Sequence, residues 1–151
     1  MTSPLSQDWY RRPLETLVLD DDRNWRNIVS FNLEIHLGTL PLLAATGEEA
    51  LRLLEERPVD VVVADLFMPR MNGFHFMKKV QKQFPRTKVI LVAGDFRSFA
   101  LTPQALIDHG ALAAIPKTEI SSTLVDLLCH LQDMPDPVAE MNSRQLQENA
   151  S

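Results

Sequence analysis

The chain has 151 residues, a formal net charge of −5, and 45% hydrophobic and 23% charged residues. These values are typical of one globular domain with its own core. They argue against unaided binding to nucleic acid or anionic lipid, because both ligands need a basic surface.

One cysteine, Cys129, leaves no partner for an intrachain disulfide and excludes a thiolate metal cluster. The first residues lack the apolar segment of a signal peptide, and no run reaches the length of a membrane span. We therefore expect a cytoplasmic protein. Residues 1–13 predict a flexible leader and residues 134–151 a polar tail, too short for an output domain, so the predicted domain is 14–133.

Five short apolar runs predict β-strands, at residues 17–19, 40–45, 61–64, 89–93 and 112–115. Nearly continuous aliphatic runs are typical of parallel strands that are buried on both faces. The second run contains Pro41, which cannot donate to a strand ladder. It therefore predicts an edge strand.

The segments between these runs predict helices. Apolar residues recur at intervals of three and four, in Trp25, Ile28, Phe31 and Ile35, in Phe74, Met77, Val80 and Phe84, and in Ile120, Leu124, Leu127 and Leu131. Two more helix starts are indicated by Gly47 followed by acids and by Thr102 before Pro103. We expect the methionines and phenylalanines on these stripes to lie in the core. Five strands alternating with five helices predict an open α/β sheet with right-handed crossovers.

Acidic residues follow two of the predicted strands. Asp20 and Asp21 close the first strand and Asp65 closes the third. Carboxyl ends of parallel strands meet at one rim of the sheet, where ligands of such folds bind. Clustered carboxylates repel, so either one is protonated or a cation is bound, and hard oxygen ligands favour Mg²⁺. Lys117 follows the last strand and is expected at the same rim, where it can pair with these carboxylates.

At these residues the chain resembles a known family. Residues 14–132 are similar to the receiver domain of two-component response regulators, through LVLDDDRNWR (17–26), VVVADLFMPRMNGF (61–74), VILVAGD (89–95) and HGALAAIPK (109–117). The resemblance implies a doubly wound, flavodoxin-like fold, with five helices around a parallel sheet of strand order 2-1-3-4-5. It also implies that residues 72–73 form the turn that opens the third helix.

The resemblance further implies a reaction. Asp65 would accept a phosphoryl group from a sensor histidine kinase or a phosphotransfer protein, with Lys117 assisting. Mg²⁺ would be held by Asp20, Asp21 and Asp65 and by the backbone carbonyl of Phe67. The chain would not be a multiple-turnover enzyme.

Three positions depart from the family pattern. Ala93 stands where a threonine or serine hydroxyl usually binds the phosphoryl group, and Ala114 stands where an aromatic side chain usually rotates. These two switch positions therefore lack the usual hydroxyl-and-aromatic relay. Lys117 is preceded by Pro116 and followed by Thr118, whereas the family places proline after the lysine, so its presentation is expected to differ.

Three functions follow from this sequence. The first is a stand-alone phosphorylatable receiver that signals through protein contacts, using backbone amides such as that of Gly94 or the loop 94–101. The second is a non-switching pseudo-receiver that acts as a constitutive interaction module. The third, a metal-dependent phosphatase, is disfavoured because Phe67 occupies the position of the general acid. Phe67 either shields the phosphoryl group from water or packs against a partner.

Overall fold

A computed structural model describes residues 13–133 of the chain. Its five strands are β1 (Thr16–Leu19), β2 (Leu42–Ala44), β3 (Val61–Asp65), β4 (Lys88–Ala93) and β5 (Ala113–Pro116). All neighbouring pairs are parallel, as the apolar runs predict, and the order is β2-β1-β3-β4-β5, as the family resemblance implies. The predicted tail and all of the predicted leader except Pro13 lie outside the described residues.

Five helices connect and cover these strands. They are α1 (Arg23–Leu37), α2 (Gly47–Glu56), α3 (Gly73–Gln83), α4 (Pro103–Asp108) and α5 (Val125–Asp133). The last helix departs from the expected form, because a 3₁₀ turn (Lys117–Glu119) and a wider π-type turn (Ile120–Leu124) precede it. No helix of the described part is long and apolar enough to cross a membrane.

The sheet is covered on both faces, which explains its continuous aliphatic strands. On one face, β-strand residues such as Leu17 and Val62 pack with the buried stripes of α2, α3 and α4. On the other face, Val18 and Val63 pack with α1, α5 and the π-type turn. Adjacent strand residues therefore enter opposite cores, as the two-residue period of a strand requires.

Side-chain caps fix where the helices begin. Thr46, Asn72 and Thr102 each accept a hydrogen bond from the backbone N–H of the residue three positions later, at 2.8–3.1 Å. These caps satisfy N–H groups that have no partner inside the helix. The helix starts expected at residues 47, 73 and 103 are therefore confirmed, and the edge position of β2 is confirmed as well.

The expectation that Phe31, on the predicted apolar stripe of α1, lies in the core is wrong. Ile28, Phe31 and Ile35 are 50%, 64% and 60% exposed. The buried face of α1 is instead formed by Val29, Leu33 and Leu37, which recur every four residues. Two apolar stripes run along this helix, and spacing alone does not tell which of them faces the sheet.

Candidate functional site

The predicted acidic cluster forms at the carboxyl rim of the sheet. Asp20 directly follows β1 and Asp65 ends β3, and these two strands are paired with Leu19 beside Ala64. With Asp21, they place one carboxylate oxygen each within 4.8 Å of one another. Asp20 and Asp65 are 1% and 5% exposed, whereas Asp21 is open to solvent. None of the four histidines joins this cluster.

Local backbone hydrogen bonds orient the two buried carboxylates. The N–H of Asp22 donates to Oδ1 of Asp20 at 2.9 Å, and the N–H of Phe67 donates to Oδ1 of Asp65 at 3.2 Å. Asp22 in turn caps α1 by accepting from the N–H groups of Asn24 and Trp25. The loops after β1 and β3 therefore hold one oxygen of each carboxylate and leave the other free for a cation.

Lys117 provides that cation. Its Nζ lies 2.8 Å from Oδ2 of Asp20 and 3.4 Å from Oδ2 of Asp65. All peptide bonds among the described residues are trans. The unusual order of Pro116, Lys117 and Thr118 therefore still delivers the ammonium to the rim, because the chain leaves β5 through a 3₁₀ turn that begins at Lys117 itself.

The site perturbs the protonation of two of these groups. Burial, together with the negative charge of Asp20, raises the pKa of Asp65 from 3.8 to about 6, although Lys117 and the Phe67 N–H act in the opposite direction. Burial disfavours the charged form of Lys117, but its bonds to Asp20 and Asp65 outweigh this effect and raise its pKa. At neutral pH both groups are therefore charged, but burial makes the ionised form of Asp65 less favourable in the folded protein than in water.

The donor set suits a hard divalent cation. The three carboxylates and Lys117 sum to a formal charge of −2, and their oxygens converge at one solvent-accessible edge. Oxygen ligands of this kind bind Mg²⁺ while leaving positions for water and phosphate. Phe67 lies in the loop just beyond Asp65, and metal contact by its backbone carbonyl stays a prediction from the resemblance.

Gly73 allows the loop after β3 to fold tightly against the site. Its N–H donates to the carbonyl of Leu66 at 3.0 Å. A β-carbon at this position would press against the backbone carbonyl of Asp65 and lie 2.9 Å from Cα of Leu66. The start of α3 therefore supports the backbone of Asp65 directly, and only glycine fits there.

Ala93 and Ala114, the two predicted switch positions, lie on the neighbouring strands β4 and β5. Ala93 ends β4 and is fully buried, and Ala114 is partly buried in β5 beside Leu91. Neither methyl group can donate a hydrogen bond to a phosphoryl oxygen. The next residue, Gly94, is exposed and has open space around it.

Aromatic contacts around the site were not foreseen from the sequence. The ring of Phe67 packs edge to face on Phe99 of the β4–α4 loop, with centroids 5.7 Å apart, and Phe99 also contacts Phe74 at 6.2 Å.

The indole of Trp25 lies against Lys117, whose Nζ is 4.8 Å from the ring centroid. Nη1 of Arg26 donates to the backbone carbonyl of Asp20 at 2.6 Å. The signal available for Trp25 and Arg26 was their place in the first helical turn after the acid pair.

Comparisons with known proteins agree with this architecture. The family model for the response regulator receiver domain matches residues 16–128. A putative response regulator, NtrX-like, of Rickettsia conorii is 32% identical over 117 residues, or 76% of this chain and 24% of the relative. A protein-glutamate methylesterase/protein-glutamine glutaminase of Oleidesulfovibrio alaskensis is 27% identical over 134 residues, or 88% of this chain and 36% of the relative. A crystal structure of a receiver domain protein from Clostridium thermocellum is 26% identical, with a TM-score of 0.70 over 78% of this chain and 92% of its own.

The chain spans about a quarter of the length of the NtrX-like relatives that it matches, at 24% for the Rickettsia conorii protein. The residues that the family model matches, 16–128, include the acidic cluster, Lys117 and both predicted switch positions. Two of the relatives are named as a putative response regulator and as a methylesterase/glutaminase. The family match therefore covers the sheet and the acidic site at the carboxyl ends of its strands.

Proposed function

This chain belongs to the response regulator receiver domain family, and on that premise we propose that Asp65 is a phosphoacceptor. In this proposal the protein is cytoplasmic, and Asp65 takes the phosphoryl group from a sensor histidine kinase or a phosphotransfer protein. The observation that carries the proposal is the position of Asp65, which is buried between Asp20 and Lys117 with one oxygen held by the Phe67 N–H.

The chain's own groups account for the transfer. A lone pair on a carboxylate oxygen of Asp65 forms the new P–O bond while the P–N bond of the donor's phosphohistidine breaks. The electron pair of that bond remains on the imidazole nitrogen. No base is needed because Asp65 is mostly ionised at neutral pH, with a pKa of about 6. Lys117 neutralises a phosphoryl oxygen, so catalysis consists of positioning and charge stabilisation.

A divalent cation completes this charge balance. Asp20, Asp21 and Asp65 would hold Mg²⁺, together with the carbonyl of Phe67. The ion would offset negative charge on the phosphoryl oxygens. Without a separate general acid in the loop after β3, the chain is a phosphoacceptor that assists its own phosphorylation and does not turn over many substrates.

An apolar surface next to the site supports a protein as the phosphodonor. Helix α1 begins beside the acid pair and exposes Ile28, Phe31 and Ile35 along one stripe. Large apolar side chains exposed together mark protein contact sites. A donor that docks on this stripe brings its phosphohistidine to the rim that holds Asp65.

A non-switching interaction module is the second candidate, and Ala93 and Ala114 favour it. A phosphoryl group shifts a conformational equilibrium only through contacts that differ between the two states. The two alanines offer no hydroxyl and no rotating ring. In this alternative the receiver fold binds its partner regardless of phosphorylation.

Phosphorylation by acetyl phosphate or phosphoramidate, with and without Mg²⁺, tests the proposal. Intact mass spectrometry should show a Mg²⁺-dependent gain of one phosphate that is absent in Asp65→Asn. No adduct despite Mg²⁺ binding would refute acceptance from small donors and favour the interaction module. Failure to bind Mg²⁺ as well would end the phosphoacceptor proposal.

A further inference from the structure

The ammonium of Lys117 is enclosed from two sides. Oδ2 of Asp20 and Oδ2 of Asp65 lie 2.8 Å and 3.4 Å from Nζ. The indole ring of Trp25 lies against the same nitrogen, with the ring centroid at 4.8 Å. Tryptophan has the most attractive face for a cation among the aromatic side chains. The indole therefore interacts with the same ammonium charge of Lys117 that pairs with Asp20 and Asp65.

The position of Trp25 is itself fixed by the fold. Its N–H donates to the capping carboxylate of Asp22 at 3.4 Å, which places it in the first turn of α1. Its side chain is half-buried and packs against the core between the sheet, α1 and α5. The ring thus belongs to a rigid element, whereas Lys117 carries its charge on a flexible four-carbon stem.

We propose that Trp25 is a positioning residue for Lys117. Its ring limits the directions in which the ammonium can point and keeps it at the rim when a phosphoryl group arrives at Asp65. The inference rests on the proposed function for its kinetic consequence. The contact between indole and ammonium exists in the unphosphorylated protein and can be tested separately.

The first measurement does not depend on phosphorylation. Because Nζ of Lys117 lies 4.8 Å from the centroid of the indole ring, the ring current should displace the NMR resonance of the protons on the carbon next to Nζ from the usual lysine position. Trp25→Leu should return this resonance to the usual position, and Trp25→Phe should retain part of the displacement. An undisplaced Lys117 resonance in the wild type would overturn the proposal even if Asp65 is phosphorylated.

The second measurement is the rate of phosphorylation by acetyl phosphate at saturating Mg²⁺. Loss of this one cation–π contact should slow phosphorylation of Trp25→Leu about two- to fivefold, with Trp25→Phe in between. In a Lys117→Met background the same Trp25→Leu change should have no further effect, because the group that it positions is gone. Phe84→Leu is the control, since Phe84 is also partly buried but packs on the opposite face of the sheet.

The outcomes separate this inference from the proposed function. Equal slowing by Trp25→Leu with and without Lys117 would mean a general structural role and refute the positioning role. An unchanged rate in a folded Trp25→Leu protein would refute it as well. A wild type that accepts no phosphate would refute the proposed function, while the NMR displacement would still decide whether the indole holds the lysine.

Discussion

Replacing Asp65 by asparagine should make the metal-free protein more stable. Burial and the charge of Asp20 raise the pKa of Asp65 from 3.8 to about 6, so the folded state resists ionisation of this group. The difference of about 2 pKa units corresponds to roughly 3 kcal/mol between the ionised and neutral forms. Asparagine resembles the neutral form in shape and polarity. We therefore expect Asp65→Asn to gain up to about 3 kcal/mol of unfolding free energy near pH 8.

The gain should depend on pH in a defined direction. An acid whose pKa is raised on folding favours the folded state below its unfolded pKa and loses this contribution as pH rises through the folded pKa. The advantage of Asp65→Asn should therefore fall to about 1 kcal/mol near pH 4.5 and grow until about pH 6–7. Urea unfolding in EDTA across this range measures it, with Asp126→Asn as the control because Asp126 is exposed on α5.

Mg²⁺ provides the sharpest test of this reasoning. A divalent cation favours the ionised carboxylates, so saturating Mg²⁺ should stabilise the wild type more than Asp65→Asn. The difference in unfolding free energy between the two proteins should therefore become smaller. If Asp65→Asn were less stable than the wild type in EDTA near neutral pH, the pairing with Lys117 would outweigh burial. The conclusion that the ionised carboxylate of Asp65 destabilises the metal-free fold would then be wrong.

Four further changes have expected outcomes. Gly73→Ala should destabilise the fold by about 2 kcal/mol or more and abolish phosphorylation, because its β-carbon would press on the Asp65 carbonyl; urea unfolding and intact mass check this, and a neutral result would show that the loop adapts. Arg70→Gly should stabilise by about 0.5–1 kcal/mol, since Arg70 has φ of 70°, and a loss of stability would mean that its side chain is needed. Phe67→Ala should shorten the lifetime of the phosphorylated form if the Phe67 ring excludes water. An unchanged lifetime would mean that Phe67 acts in packing only. Phe31→Ser should slow transfer from a phosphorylated protein donor that labels the wild type, while labelling by acetyl phosphate stays constant; equal slowing of both would contradict docking on α1.

The rim of the site was predictable because its residues mark strand ends. Parallel strands bring their carboxyl ends together, so Asp20 after β1 and Asp65 at the end of β3 had to meet once the sheet was predicted. Lys117 follows the same rule at the end of β5. The strand order itself came from the family resemblance, and it is confirmed.

What the sequence did not predict depends on side-chain packing. Helix α1 carries two apolar stripes, and the sheet buries Val29 and Leu33 while Phe31 is exposed. The contact between Trp25 and Lys117 joins residues from α1 and the turn after β5, and no local pattern links them. The contact between Phe67 and Phe99 likewise joins two loops. Such pairs depend on the conformations of loops and rotamers, which periodicity does not describe.

The loops after β3 and β4 offer a route for a signal that does not need the missing hydroxyl and ring. The N–H of Leu66 donates to the carbonyl of Val92 at 2.8 Å, next to Ala93. Just beyond, Phe67 packs on Phe99, and this contact connects the loop after Asp65 to the loop that leads into α4. A phosphoryl group on Asp65 that displaces Phe67 must therefore disturb Phe99, whereas the alanines at the switch positions can remain in place. Because any shift requires contacts that differ between two states, we expect a switching receiver to show phosphorylation-dependent changes in the loop 94–101 that Phe99→Ala weakens, and an interaction module to show none.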